Sequence, residues 1–267
     1  MRIAVCIKQV PGTSKVEVDP ETGVLKRDGV DSKLNPYDLY GLETALQMKQ
    51  AVPGSTVTAI TMGPPQSEEI IREAFMMGAD EGVILSDRRF AGSDVLATSW
   101  TLAQGLQVSG PFDLIVCGKQ TTDGDTAQVG AEVAEFLHVP HLCNVLKIEK
   151  LNEKSMIAEL DLPQHVQKVR INLPCLVAVE KGIYEPRLPS FRRKLATAER
   201  KIRWLKLDDL PDNNEKHYGL NGSPTQVARI FPPESTQIQV TWNQPESEIA
   251  TRVFELLKER KFLQQAR

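Results

Sequence analysis

The chain has 267 residues, of which 41% are hydrophobic and 25% are charged, as is usual for a globular protein. Its formal net charge of -3 gives no reason to expect nucleic acid or an anionic membrane as the main partner. No apolar run approaches the ~20 residues that a membrane span requires, and the opening residues MRIAVCIKQV lack the pattern of a secretion signal. We therefore expect a cytoplasmic protein made of one large domain with a substantial appendage.

Strand-like and helical patterns alternate through the first half of the chain. Strands are predicted over residues 2–9, 56–62, 83–85 and 114–117, and a hairpin over 16–19 and 24–26. Helices are predicted over residues 37–51, 67–78, 94–106 and 126–137, with Pro36, Ser67 and Asp94 at helix starts and Gly78 at a helix end. This order predicts an α/β fold with a doubly wound, mostly parallel, Rossmann-like sheet.

The pattern changes after Pro140. Four strand-like segments, over residues 145–150, 156–160, 166–172 and 175–180, have no long helix between them and predict an antiparallel extension of the sheet. A basic, irregular stretch follows, and an amphipathic helix is predicted over about 245–264. The expected organisation is an α/β domain over 1–185, a loop and basic segment over 186–205, and a C-terminal arm over 206–267. Such an arm is too long for a loop and too polar for a domain, so we expect it to lie along another subunit.

The polar loop after the strand at 114–117 is the most informative part of the chain. Asp125 is predicted to cap a helix that starts near Thr126, with Gln128 completing a capping box. Backbone N–H groups at a helix N-terminus, beside the carboxyl end of a strand, bind anions such as nucleotide phosphates. An ordinary capped connection is an equally good interpretation of the pattern alone. A ligand loop is favoured by the density of hydrogen-bonding side chains, namely Gln120, Thr121, Thr122, Asp123, Asp125, Thr126 and Gln128.

The carboxyl ends of the parallel strands should meet at one rim, formed by residues 6–10, 62–63, 86–93 and 118–126, with 35–38 covering it. An adenine could be held near Cys6 and Met62, and phosphates could meet the helix starts at Thr98 and Thr126. Asp94, Asp123 and Asp125 would repel phosphate, so they are expected to bond ribose hydroxyls or to serve only as helix caps.

Several kinds of site are not predicted. The four cysteines are scattered without a CxxC, and the four histidines have no ligand spacing, so we expect reduced thiols and no metal site. No G-x-G-x-x-G follows the first strand, and no P-loop motif is present. Neither a nucleophile elbow nor an acid/base pair can be identified, so no residue is assigned a catalytic role.

The basic stretch EPRLPSFRRK has two interpretations. The arginines and lysine at 192–194 could be a solvated surface patch. Alternatively, Leu188 or Phe191 is an exposed apolar anchor ringed by charges, as is common at protein interfaces. In that case Pro186 and Pro189 would stiffen the loop that presents the anchor.

Five motifs in order resemble the β subunit of the electron-transfer flavoproteins over residues 2 to about 205: VCIKQV, LNPYD, GPPQSEEIIREAFMMGAD, GKQTTDGDTAQVG and EPRLPS. The resemblance implies a heterodimer with an α subunit and an adenine-nucleotide site in this chain. With the rim residues above, the expected cofactor-binding set is Cys6, Asn35, Tyr37, Asp38, Met62, Asp94, Thr98, Gly118, Lys119, Gln120, Thr121, Asp123, Gly124, Asp125, Thr126, Ala127, Gln128 and Val129. Leu188 matches the family's leucine anchor, so a partner dehydrogenase is expected to dock on Pro186, Arg187, Leu188, Pro189, Phe191, Arg192 and Arg193.

The family has two kinds of member, and the resemblance favours one of them. The small residues DGDTAQVG and the SDVLATS segment are similar to the electron-bifurcating branch. That branch carries in its β subunit an FAD that takes a hydride from NADH. The electrons pass to a low-potential acceptor, ferredoxin or flavodoxin, and through the FAD of the α subunit to an acyl-CoA or 2-hydroxy-acid dehydrogenase. Two alternatives stay open: an ordinary electron carrier with structural AMP in the β subunit, and an adenine-nucleotide-binding module without redox function.

Overall fold

The computed structural model describes residues 1–12, 32–226 and 240–263. It divides the chain into two units, Met1–Arg229 and Ile230–Arg267. The hairpin predicted over 16–19 and 24–26 lies outside the described residues. Among the helices described, none has the length and apolar character needed to cross a membrane.

A nine-stranded sheet forms the centre of the first unit, counted over the residues just given. The strands in chain order are β1 (Arg2–Cys6), β2 (Gln9–Pro11), β3 (Ser32–Leu34), β4 (Thr56–Met62), β5 (Glu81–Leu85), β6 (Leu114–Gly118), β7 (His141–Leu151), β8 (Ser155–Leu162), β9 (His165–Asn172), β10 (Cys175–Val179) and β11 (Arg203–Leu205). Their order across the sheet is β11-β5-β4-β1-β6-β10-β7-β8-β9. The short strands β2 and β3 form a separate antiparallel pair.

Helices cover both faces of this sheet. They are α1 (Pro36–Ala51), α2 (Glu68–Met77), α3 (Val95–Ser109), α4 (Val129–Leu137) and the short α5 (Phe191–Ala196), while α6 (Glu246–Glu259) belongs to the second unit. Leu42 of α1 and Phe75 of α2 pack in one buried cluster, and Leu102 of α3 and Val133 of α4 pack in a second. Two apolar layers on one sheet are what a doubly wound α/β fold requires, so the predicted fold class is confirmed.

Strand β10 departs from the sequence prediction, which placed it in the antiparallel extension. It lies between β6 and β7 and runs parallel to both, so that part of the prediction is wrong. All five residues of β10 are buried, as expected for a strand covered by helices on both faces. Strands β8 and β9 do form the antiparallel extension, and β9 keeps one largely exposed face.

The chain after the basic segment also packs within the first unit. Strand β11 pairs in parallel with β5 at the sheet edge. Beyond it, Leu207, Leu210 and Tyr218 are buried in the cluster that contains α3 and α4. Arg89 joins this stretch to the sheet through ion pairs with Asp87 and Asp208. Residues 207–223 therefore pack on the α/β unit; that an arm contacts another subunit stays a prediction.

Candidate functional site

Three segments meet at the carboxyl end of the central strands. Residues 7–10 follow β1, residues 118–128 start at the last residue of β6, and residues 35–38 span the start of α1. Because β1 and β6 are parallel neighbours, with Cys6 opposite Cys117, their following segments leave the sheet side by side. We call residues 118–128 the site loop.

The side chain of Asn35 is hydrogen-bonded to the backbone of the site loop. Its side-chain Nδ2 donates to the carbonyl of Gln120 at 2.9 Å, and its Oδ1 accepts from the N–H of Thr122 at 3.3 Å. Its own N–H donates to the carbonyl of Lys8 at 2.9 Å. Asn35 is completely buried, so its amide fixes the backbone of the loop from within the protein.

Asp38 lies under the start of the same loop. Its Oδ2 accepts from the backbone N–H of Lys8 at 2.8 Å, and the N–H of Gly118 donates to the same carboxyl group. Burial raises the pKa of Asp38 from 3.8 to about 7, against the hydrogen bonds from Asn35 and Lys8, which lower it. The carboxyl group therefore links two segments of the site and changes its charge near neutral pH.

Raising the pH from 5 to 8 is expected to weaken the fold through Asp38. A carboxyl group whose pKa is higher in the folded state binds a proton on folding, so stability falls as pH rises from the unfolded pKa to the folded one. Urea unfolding at both pH values should show the wild type losing stability relative to Asp38→Asn, at up to about 1.4 kcal/mol per pH unit.

A second variant tests whether this slope belongs to Asp38. The hydrogen bond from Lys8 keeps the pKa of Asp123 below its usual value, although burial opposes this. Asp123→Asn should therefore leave the slope between pH 5 and 8 as it is in the wild type. Equal slopes in the wild type and Asp38→Asn would contradict the assignment.

The conformation of the site loop differs from the predicted capping box. Helix α4 begins at Val129 with Gln128 as N-cap, and Asp125 does not cap it, so the predicted start near Thr126 is wrong. Asp125 and Ala127 both have left-handed backbone, with φ of 52° and 55°, which is incompatible with entry into a helix. The carboxylate of Asp125 accepts a hydrogen bond from the side chain of Gln120 instead.

This conformation leaves hydrogen-bond donors at the start of α4. Among the described residues, the helix has no side-chain hydrogen bond from its N-cap, so its first N–H groups are left to a ligand or to water. Left-handed conformation in non-glycine residues costs about 1–3 kcal/mol each and clusters at ligand-binding sites. The tip of the loop is tied by an ion pair of 2.8 Å between Lys8 Nζ and Asp123. The site loop is therefore strained and fixed by its contacts, and it leads directly into the N-terminus of α4.

The start of α3 is built differently. Asp94 caps this helix as predicted, with Oδ1 accepting from the N–H of Ala97 at 3.1 Å. Its Oδ2 accepts from the N–H and the hydroxyl of Thr225 at 3.0 and 2.6 Å. The N–H of Thr98 donates to the carbonyl of Asp94. Both oxygens of this carboxylate are therefore engaged by the protein itself.

Some of the predicted docking residues are bonded to the rest of the protein, and others are exposed to solvent. Arg187 donates from Nε and Nη2 to the two carboxylate oxygens of Glu43, each at 2.8 Å. Arg193 donates to the carbonyl of Met77 at the end of α2, 3.1 Å away. Leu188 and Phe191 are 87% and 71% exposed. Residues 186–193, the docking segment, are thus fixed by two arginines and present two apolar side chains to solvent.

Comparison with known proteins identifies the family. The family model "Electron transfer flavoprotein domain" matches residues 22–210. The chain belongs to the electron transfer flavoprotein family. It is 41% identical over 261 residues to the caffeyl-CoA reductase-Etf complex subunit CarD of Acetobacterium woodii, covering 97% of this chain and 99% of that one.

Two further relatives show the range of the similarity. The electron transfer flavoprotein subunit beta of Clostridium acetobutylicum is 38% identical over 263 residues, which is 98% of this chain and 100% of the relative. The protein FixA of Bradyrhizobium diazoefficiens is 41% identical over 239 residues, or 87% of this chain and 83% of FixA. The chain is therefore similar to these relatives over 83–100% of their length.

The structure brings most of the predicted cofactor residues together, but not all. Cys6, the residues of 35–38 and the site loop adjoin through the contacts above, and Tyr37 OH lies 3.4 Å from the amide nitrogen of Gln120. Lys119 points elsewhere, pairing with Glu180 at 2.5 Å. Asp94 and Thr98 belong to a separate hydrogen-bonded cluster with Thr225. The half-buried Met62 is the last residue of β4, a strand that β1 separates from β6.

Lys8 is a site residue that the sequence analysis placed at the rim, within residues 6–10, but left out of the cofactor-binding set. Its backbone and side chain contact Asn35, Asp38 and Asp123. The signal was present, because a charged residue near the carboxyl end of a predicted apolar strand lies at the rim of a parallel sheet. Its ammonium group lies at the loop, paired with Asp123.

Proposed function

We propose that this chain is the β subunit of a heterodimeric electron transfer flavoprotein and binds an adenine nucleotide at the site loop. The observation that carries the proposal is the strained loop itself, which Asn35 and Lys8 hold open beside the free N-terminus of α4. Such a terminus favours a phosphate through its N–H groups and its dipole. Relatives named as electron transfer flavoprotein subunits and as a member of a reductase-Etf complex support an α partner.

We further propose that the nucleotide is FAD, on the basis of the small loop residues from Asp123 to Gly130. When bound, FAD supplies the capacity to accept a hydride from NADH and to release single electrons. The residues of this chain then have binding and orienting roles. The first N–H groups of α4 would bind phosphate, Lys8 would hold Asp123 at the tip of the loop, and Asn35 and Asp38 would fix the loop. No side chain is required to donate or accept a proton.

In this proposal the electrons leave by two routes. One leads to ferredoxin or flavodoxin, and the other leads through the FAD of the α subunit to an acyl-CoA or 2-hydroxy-acid dehydrogenase. The exposed Leu188 and Phe191, next to the exposed Arg192, give the docking segment an apolar centre with a basic rim, as protein interfaces commonly have. The chain would then be catalytic only together with its partners.

One observation favours the second candidate, an ordinary electron carrier with structural AMP. The start of α3, where phosphate groups were expected near Thr98, is closed by the bonds between Asp94 and Thr225. AMP requires only one phosphate site, and the start of α4 supplies one. A flavin would need Thr225 to move away from Asp94.

Acid extraction and chromatography of the purified αβ heterodimer decide between the two candidates. Two FAD molecules and no AMP per heterodimer are expected, with NADH reducing the flavin under anaerobic conditions. One FAD and one AMP would overturn the bifurcation proposal and leave the ordinary carrier. Flavin confined to the α subunit, with no nucleotide in this chain, would overturn both candidates.

A further inference from the structure

Two cysteines face each other at the end of the central strands. Cys6 on β1 and Cys117 on β6 are register partners on neighbouring parallel strands. Both belong to the buried cluster that lies against α3 and α4, so their side chains project from the same face of the sheet. The thiol of Cys6 is close enough to that of Cys117 to raise its pKa. Both residues are free thiols in this structure.

The strand spacing permits a disulfide between this pair. Neighbouring strands lie about 4.7–4.9 Å apart, and the Cα atoms of disulfide-bonded cysteines are usually about 4.4–6.8 Å apart. Cys143 is on β7, which β10 separates from β6, so two strand spacings of about 10 Å exclude a bridge to Cys117 without backbone movement. Cys175 packs in the cluster on the opposite face of the sheet. The chain therefore offers one suitable pair among its four cysteines.

We propose that Cys6 and Cys117 form a paired-thiol site that a peroxide converts into a disulfide between β1 and β6. The peroxide first oxidises the Cys6 thiol to a sulfenic acid and is reduced to water. The sulfur of Cys117 then attacks the sulfenic sulfur, forming the S–S bond and releasing a second water. Two thiols lose two electrons and two protons, and one hydrogen peroxide gains them.

Access to this site comes from the rim. Cys6 and Cys117 are 8% and 6% exposed, at the points where residues 7–10 and the site loop leave the sheet. Because the neighbouring thiol of Cys6 and burial raise the pKa of Cys117 well above the ordinary value, disulfide closure is expected to quicken as pH rises.

The bond would act on the neighbouring site as well. The strand spacing lies within the Cα range of a disulfide, so closure would fix the ends of β1 and β6 to each other near their present separation. Those ends carry Lys8 and the site loop. This consequence rests on the proposed nucleotide function, whereas formation of the bond does not.

The test is peptide mapping of the full-length protein, purified with any subunit that accompanies it. The protein is exposed to hydrogen peroxide at pH 8, its remaining thiols are alkylated, and the digest is analysed by mass spectrometry. The expected result is loss of alkylation at Cys6 and Cys117, with a linked peptide that dithiothreitol separates. Alkylation of Cys175 should persist. Cys143→Ala should leave the linked peptide unchanged.

A second variant keeps the test decisive. In Cys117→Ser the linked peptide should vanish, and Cys6 should become reactive toward dimedone, which traps sulfenic acids. The proposal is overturned if Cys6 and Cys117 remain alkylated while Cys143 or Cys175 is oxidised. Recovery of both cysteines as separate sulfinic acids without a linked peptide would also overturn it. Neither readout depends on which nucleotide the protein binds.

Discussion

Replacing Arg187 by methionine is expected to lower the free energy of unfolding by about 3 kcal/mol, because it leaves the Glu43 carboxylate buried without its cation. Glu43 is 1% exposed, and Arg187 contacts both of its oxygens. The backbone N–H of Arg187 donates to the same carboxylate at 3.1 Å, so the ion pair also fixes the start of the docking segment. Urea unfolding of the purified protein measures the loss.

The matched variant for Arg187→Met is Leu188→Ala. Leu188 is adjacent in sequence but almost fully exposed, so its truncation should change the unfolding free energy by no more than about 0.5 kcal/mol. If the docking proposal is right, Leu188→Ala should instead slow electron transfer to the partner dehydrogenase. A stability loss as large as that of Arg187→Met would show that Leu188 packs against the protein. An unchanged stability in Arg187→Met would contradict the buried pair.

The same ion pair predicts a pH effect of opposite sign to that of Asp38. Burial alone would raise the pKa of Glu43, but the hydrogen bonds from Arg187 outweigh it and hold the pKa below the ordinary 4.5. A carboxyl group with a lowered folded pKa contributes stability above its unfolded pKa and loses it as pH falls through the folded value. The wild type should therefore lose stability below pH 4.5 more steeply than Glu43→Gln.

The fold class could be predicted from the sequence because the spacing of apolar residues along a helix or strand follows which of its side chains are buried. Thr56–Met62 and Cys175–Val179 both contain apolar runs, and both were correctly predicted as strands. Which neighbour a strand takes depends on packing distant in sequence, so β10 was placed in the wrong part of the sheet. Likewise, residues 207–223 contain few apolar positions, yet Leu207, Leu210 and Tyr218 are enough to fix that stretch on the first unit.

The sequence predicted where the candidate site lies but not the backbone conformation and hydrogen bonds that form it. From residue spacing alone, Asp125 was predicted to cap a helix. In the structure Asp125 has left-handed backbone and bonds with Gln120, and the helix begins only at Val129. Asn35 was predicted to bind the cofactor, and the structure commits its amide to the backbone of the loop. Hydrogen-bond partners across 85 residues of chain cannot be inferred from local pattern. Sequence therefore located the loop, and only the fold showed what holds it.

Gly118→Ala is expected to disrupt the site more than any other single methyl group added to the loop. A Cβ atom at residue 118 would lie 2.5 Å from Oδ1 of Asp38 and 2.6 Å from the backbone carbon of Tyr37. Neither neighbour can move freely, because Asp38 is buried and Tyr37 is part of α1. We expect a loss of about 1–3 kcal/mol in unfolding free energy, the usual cost of overpacking.

The nucleotide-binding consequence follows from the position of Gly118. This residue is the first of the site loop, so relief of the collision must shift the loop relative to Asn35 and α1. Gly124→Ala is the control, since its Cβ would meet only Oγ1 of Thr121, at an ordinary 3.5 Å. In nucleotide extraction from the purified heterodimer, Gly118→Ala should lose the nucleotide of this chain while Gly124→Ala retains it. If both variants retain the nucleotide equally, a change in the geometry of the site loop has no effect on binding. Nucleotide binding would then not depend on the site loop.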